Sequence, residues 1–168
     1  MIDLKKIPKV ELHVHLDGSL DVESVSKILN IDDLDAKKQM IAPSKCLDLN
    51  DYLTKFSLPV LAMQKYDDIV NLTYEFTKKL EEENVIYAEV RFAPLKHTNN
   101  LEPTEVVEAV LEGLKKSKIK INLILCMMRN DSLEENKKVI DLAKHFLNKG
   151  VVAVDLEGAE GLYKTKNF

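Results

Sequence analysis

The strongest constraint on the fold is a regular alternation of strand-like and helix-like segments along the 168 residues. Apolar and β-branched runs predict four strands, at about 9–14, 85–92, 119–128 and 151–156. Helical periodicity fills the segments between the strands. Because this alternation is typical of parallel strands joined by helical crossovers, the sequence predicts an α/β fold.

Capping residues and prolines indicate where the predicted helices begin and end. Ser19 is expected to cap the first helix, and Pro59 to break or start a helix between two amphipathic stretches after the first strand. Pro103 fits the first turn of the next helix, and Ser132 with Glu135 matches a capping box. These signals support four strand–helix units with extra helices after the first strand.

Two α/β architectures compete, an open doubly wound sheet and a closed barrel. No G-x-G-x-x-G motif follows a strand, so the usual signature of a dinucleotide-binding open sheet is missing. The strands also combine one apolar face with one polar face, whereas central strands of an open sheet are apolar on both. The sequence therefore favours the first four βα units of a TIM (β/α)8 barrel, with polar side chains facing its interior.

The polar faces of the first two strands carry side chains that could bind a ligand or take part in catalysis. Since side chains alternate along a strand, these faces are predicted to hold Glu11, His13 and His15 in the first strand, and Tyr87, Glu89 and Arg91 in the second. We expect Glu89 and Arg91 to belong to an internal ion-pair network.

Composition excludes several classes of function. The net charge of −4 gives no basic surface for nucleic acid, and no apolar run is long enough for a signal core or a membrane span. Cys46 and Cys126 match no ligand spacing. We therefore expect a cytoplasmic protein with reduced thiols that binds neither nucleic acid nor membrane.

A metal site is indicated by His13 and His15 at the carboxyl end of the first strand. Residues i and i+2 face the same way, so two imidazoles can reach one cation such as Zn²⁺, and Asp17 follows two residues later. The carboxyl ends of the strands form the catalytic face of a TIM barrel. The alternative, that the histidines are structural and bind no metal, stays open at this point.

Four segments together resemble the adenosine deaminase family of metal-dependent hydrolases. They are P-K-V-E-L-H-V-H-L-D-G-S at 8–19, L-N-D-Y-L-T-K-F at 49–56, Y-A-E-V-R-F-A-P at 87–94 and V-A-V-D-L-E-G-A-E at 152–160. They stand in the family's order and span nearly the whole chain, which resembles the N-terminal portion of such an enzyme.

The resemblance implies a role for several residues. His13 and His15 would hold zinc, with His15 also beside the substrate. Asp17 would bind a ribose hydroxyl, and Gly158 would donate its backbone N–H to a purine ring nitrogen. The apolar part of the substrate pocket would be formed by Leu53, Phe56 and Met128.

Two positions bear on substrate choice. Related adenine deaminases tend to carry Glu where this chain has Asp17, so the resemblance favours a nucleoside. The loop after the fourth strand departs from the family's usual pattern, which has Ala in place of Glu157 and Asp in place of Ala159. We expect Asp155 to orient this loop.

The resemblance places the third zinc histidine and the acid/base glutamate on later strands, so no catalytic residue is assigned within these 168 residues. His97 and His145 are expected to be solvent-exposed or packed at the surface. A TIM barrel typically needs about 250 residues. Residues 1–168 are therefore interpreted as the N-terminal half of a barrel domain, apparently truncated, whose open strand edges a missing C-terminal half or a second copy would cover.

The expected reaction of the whole enzyme is the hydrolysis of adenosine or 2′-deoxyadenosine to inosine or 2′-deoxyinosine and ammonia. This reaction cleaves a C–N bond of a cyclic amidine and belongs to purine salvage. Zinc would activate water, and this segment alone would have little or no activity. An adenine deaminase or another amidohydrolase of the same fold is one alternative. A non-catalytic, self-associating half-barrel is another.

Overall fold

The computed structural model describes residues 3–165, which contain a four-stranded sheet whose strands are all parallel. The strands follow one another across the sheet in chain order, and they are β1 (Lys9–His15), β2 (Val85–Phe92), β3 (Lys120–Met128) and β4 (Val151–Glu157). Sequential neighbours with helical crossovers are the arrangement of one side of a βα barrel.

Helices connect the strands as the sequence predicts, and most of them lie between β1 and β2. They are α1 (Val22–Leu29), α2 (Asp33–Met40), α3 (Leu49–Leu53), α4 (Ser57–Ala62), α5 (Tyr66–Glu82), α6 (Pro103–Lys115) and α7 (Leu133–Phe146). Short 3-10 turns at Leu4–Lys6, Thr54–Phe56 and Pro94–His97 complete the described part of the chain.

Helix starts are set by side chains that accept hydrogen bonds from free backbone N–H groups. Ser132 and Glu135 form the predicted capping box of α7, and Pro103 opens α6. The prediction that Ser19 caps α1 is wrong, because the carboxylate of Asp21 accepts from the Ser24 N–H at 3.1 Å. Helix α2 was not predicted, since it is short and mostly polar.

The pairing of β1 with β2 contains an irregularity that matters for the polar face. Glu11 lies opposite Ala88, but Val14 lies opposite Val90 and His15 opposite Arg91, so the register shifts within β1. An extra residue in one strand reverses which face the preceding side chains take. The prediction that Glu11 shares the face of the histidines is therefore wrong, whereas His13 and His15 remain together.

The hydrophobic core lies between the outer face of the sheet and helices α5–α7. Val90 and Phe92 of β2 and Leu123 and Leu125 of β3 are fully buried there. The helical side contributes mainly the apolar stripes of α5, α6 and α7, including Ile69, Val106, Val107, Val110 and Val139. This core holds the outer face of the sheet against the helices. The carboxyl ends of the strands stay accessible and can form a site.

The two outer strands keep exposed apolar side chains. They are Val10 and Leu12 on β1 and Val152 and Val154 on β4, and each of these strands has one neighbouring strand among residues 3–165. Half a barrel would have such edges. Within the same residues, none of the helices has both the length and the apolar character needed to cross a membrane.

Candidate metal centre and ligand pocket

The two histidines of β1 lie side by side at the carboxyl end of the sheet. Their ring centroids are 5.5 Å apart; His13 is exposed and His15 is half-buried. Phe56, from the 3-10 turn before α4, packs its ring edge-on against His15 at 5.9 Å. The structure therefore brings together the two imidazoles that the sequence predicted as ligands of one cation.

A third potential ligand comes from the end of β4. The carboxylate Oε2 of Glu157 lies 3.1 Å from Nδ1 of His15, and one donor atom from each of His13, His15 and Glu157 falls within 4.8 Å of the others. Imidazole nitrogens and carboxylate oxygen are ligands that suit zinc. The residues present thus fit a divalent cation. In the sequence, Glu157 stands out only as a departure from the family's usual loop.

Burial shifts the protonation of two of these groups. Desolvation is the main cause that lowers the pKa of His15, against an opposing effect of the Asp17 charge. A lowered pKa keeps the imidazole neutral, the form that binds metals. Desolvation also raises the pKa of Glu157, and the nearby charge of Asp155 raises it further. A bound cation would favour the ionised form of that carboxylate.

Arg91 connects three strands beneath this cluster. The buried guanidinium donates to the Leu12 carbonyl at 2.9 Å and to the carboxylate of Asp155, while Oε1 of Glu157 lies 3.7 Å away. The expected ion-pair network includes Arg91 but not Glu89, which instead accepts from the Tyr87 hydroxyl at 2.7 Å. Arg91 is directed across the sheet towards β4, where two carboxylates require a cation.

Asp17 and His97 form a buried pair at the edge of the site. Asp17 is 5% exposed and His97 is 0% exposed, so the prediction that His97 lies in solvent or at the surface is wrong. The 3-10 turn after β2 carries its ring inward, where Nδ1 lies 3.2 Å from the Met63 carbonyl. Nothing in its polar sequence neighbourhood indicates this burial. His145 is exposed on α7, as predicted.

A cavity of about 330 Å³ opens at the carboxyl ends of the strands. This is within the size range of small-molecule sites, which is roughly 300–1,000 Å³. Its lining includes every residue that the sequence predicted to contact a substrate: His15, Asp17, Leu53, Phe56, Met128 and Gly158. Glu157 and Lys96, which were not predicted, also line it. Their roles towards a ligand stay predictions.

The loop after β4 approaches the cavity through Gly158. Its φ of +109° is a conformation that residues with a side chain rarely adopt. In the preceding strand, the Asp155 carboxylate accepts from the Leu156 N–H at 2.8 Å and from the Arg91 guanidinium of β2. The backbone of the loop can therefore come close to a ligand in the cavity.

Similarity to solved structures defines the class of the fold. The chain superposes on the N6-methyl-AMP deaminase of Arabidopsis thaliana with a TM-score of 0.81 at 24% identity, over 98% of this chain and 53% of that one. It superposes on a zinc-bound amidohydrolase of Burkholderia ambifaria with a TM-score of 0.84 at 17% identity, over 97% and 47%. The fold is thus that of the first βα units of a TIM barrel, as predicted.

Sequence similarity gives the family. The adenosine deaminase family model matches residues 8–168, so the chain belongs to the adenosine deaminase family. An adenosine deaminase of Clostridium perfringens is 38% identical over 172 residues, covering 95% of this chain and 52% of the relative. One from Enterococcus faecalis is 39% identical over 169 residues, covering 94% and 50%. The chain spans about half the length of these curated relatives.

Proposed function

We propose that this chain provides the metal-binding and nucleoside-binding half of a zinc-dependent deaminase that converts adenosine or 2′-deoxyadenosine to the inosine compound and ammonia. The observation that carries the proposal is that His15, Asp17 and Gly158 line one cavity, with the ring of His13 5.5 Å from that of His15. Family membership supports hydrolytic deamination as the reaction class.

His13 and His15 are the residues that would hold the metal. Their shared side of β1 lets both imidazoles face one cation, and the lowered pKa of His15 leaves its ring neutral for coordination. When bound, zinc supplies the Lewis acidity that makes water a competent nucleophile near neutral pH.

Asp17 would orient the sugar. Its carboxylate is buried, and Oδ1 accepts no hydrogen bond from any of residues 3–165. A buried acceptor without a partner is costly, and a ribose hydroxyl is a donor that would satisfy it. This preference for a hydroxyl is the reason to propose a nucleoside rather than free adenine as substrate.

The purine ring would lie on the apolar side of the cavity. Leu53, Phe56 and Met128 supply apolar surface for the flat ring, and the Gly158 N–H would donate to a ring nitrogen. Proton transfer would come from later strands, as the resemblance implies. The 168-residue chain should therefore bind nucleosides with little or no turnover.

Ligand binding tests the proposal. The zinc-loaded chain is dialysed against adenosine, 2′-deoxyadenosine and adenine, with Asp17→Ala as the test variant and the exposed Asp141→Asn as its control. We expect the chain to prefer the nucleosides, and Asp17→Ala to weaken adenosine binding about tenfold, the effect of about 1.4 kcal/mol, without changing adenine binding. Equal affinity for adenine, or no nucleoside binding, would refute the nucleoside assignment.

Self-association is a second candidate because of the exposed apolar side chains on β1 and β4, Val10 and Val154 among them. A second copy, or the half of the relatives that this chain does not match, would cover these edges. Light scattering of the purified chain distinguishes a dimer from a monomer at micromolar concentration.

A further inference from the structure

We propose that Glu157 is a direct third ligand of the cation held by His13 and His15, so that β1 and β4 together form a three-residue metal site within this half of the barrel. The inference rests on the proposed metal role of the two histidines. It adds a ligand from the end of β4, where the resemblance predicted none.

Distances support a shared cation. Zinc–ligand bonds of about 2.0–2.2 Å place the ligand atoms of a tetrahedral site roughly 3.3–3.6 Å apart. The 3.1 Å between Nδ1 of His15 and Oε2 of Glu157 is close to that spacing, and the donor atom of His13 lies within 4.8 Å of both. Small side-chain rotations would bring the three atoms around one ion.

The charge of the Glu157 carboxylate is also not fully balanced by its neighbours. Its carboxylate is largely buried, and Oε1 accepts no hydrogen bond from any of residues 3–165. Arg91 lies 3.7 Å from that oxygen but donates its hydrogen bonds to Asp155 and Leu12. Buried charge is costly unless it is paired or coordinates a metal. One guanidinium faces two carboxylates here, and a divalent cation would compensate the second.

A different geometry would make Glu157 a positioning residue. A carboxylate often accepts a hydrogen bond from the second nitrogen of a metal-bound histidine, and the 3.1 Å contact with His15 is compatible with that role as well. Substitution by a residue with a spectroscopic signature separates the two geometries, because only a direct ligand places its own atom on the metal.

Cobalt spectroscopy of the 168-residue chain tests the inference. Glu157→Cys, loaded with Co²⁺, should acquire the intense near-ultraviolet band of thiolate-to-cobalt charge transfer. The wild-type chain, with its own Cys46 and Cys126, and the control Glu160→Cys should show only weak visible bands, since Glu160 is exposed three residues further along the same loop. Visible bands without a charge-transfer band in Glu157→Cys, together with a loss of zinc affinity below about 100-fold in Glu157→Gln, would overturn the inference and assign the positioning role.

Metal affinity gives a second, independent measurement. Against a chromophoric chelator, Glu157→Gln should bind zinc at least about 100-fold more weakly than wild type, since loss of an outer partner alone costs about 10–100-fold. Glu160→Gln should match wild type, and circular dichroism of the zinc-free variants checks that they fold. Unchanged affinity in Glu157→Gln overturns the inference.

Two variants distinguish a failure of the histidine metal site from a failure of the Glu157 assignment. If His13→Ala/His15→Ala abolishes zinc binding while Glu157→Gln retains wild-type affinity, the histidine site stands and Glu157 is not a ligand. If the double variant binds zinc as wild type does, the histidine site fails, and the inference fails with it.

Discussion

The Nε2 atom of His97 lies 3.7 Å from Oδ2 of Asp17, and both side chains are buried at the edge of the cavity. Nδ1 of His97 lies 3.2 Å from the Met63 carbonyl, so the ring packs between the carboxylate and the segment after α4. The residue proposed to bind the sugar thus lies against a buried imidazole from the turn after β2, without a hydrogen bond between them.

Replacing His97 should therefore affect stability. His97→Ala would leave a cavity and free the Met63 carbonyl, so we expect a loss of about 2–4 kcal/mol in the free energy of unfolding. The control is His145→Ala on the exposed side of α7, which should change stability by less than about 0.5 kcal/mol. Urea unfolding measures both, and equal effects of the two substitutions would contradict the buried position of His97.

The loop after β4 should tolerate an added side chain poorly at one glycine and well at another. Gly158→Ala forces a side chain into a φ of +109° and is expected to cost about 1–3 kcal/mol. A Cβ on Gly161 meets no atom within 4 Å, and that residue has no positive φ, so Gly161→Ala is the matched control. Thermal unfolding and adenosine binding of the zinc-loaded chain provide the readouts. Identical behaviour of the two variants would refute a strained loop at the cavity.

The two cysteines should differ strongly in reactivity. Cys46 is exposed, whereas Cys126 is 1% exposed on β3, and burial raises its pKa well above the ordinary value. Since the thiolate is the nucleophile, iodoacetamide at pH 8 should modify Cys46 and leave Cys126 intact until the chain is unfolded. Mass spectrometry counts the modified thiols. In the Cys46→Ser variant, rapid native labelling would show that Cys126 is not buried as described.

Strand and helix order could be predicted from the sequence because local signals determine them. The periodicity of β2 and the capping box at Ser132 agree with the structure. The faces of β1 could not be fully predicted, because a register shift against β2 depends on pairing between residues 70 or more positions apart.

The candidate site was predictable only where a motif or resemblance covers it. His13, His15 and Asp17 lie in one short segment, and the structure places all three at or beside the cavity. Burial of His97 and the approach of Glu157 to His15 arise from packing between distant elements. No local pattern in the sequence reports such contacts.

Zinc binding to the purified 168-residue chain tests the central claim most directly. Titration calorimetry should give one zinc ion per wild-type chain, and His13→Ala/His15→Ala should lose that site, while His145→Ala, which changes an exposed histidine on α7, should keep it. A wild-type chain that binds no zinc, or a double variant that binds it with unchanged stoichiometry and affinity, would contradict the account.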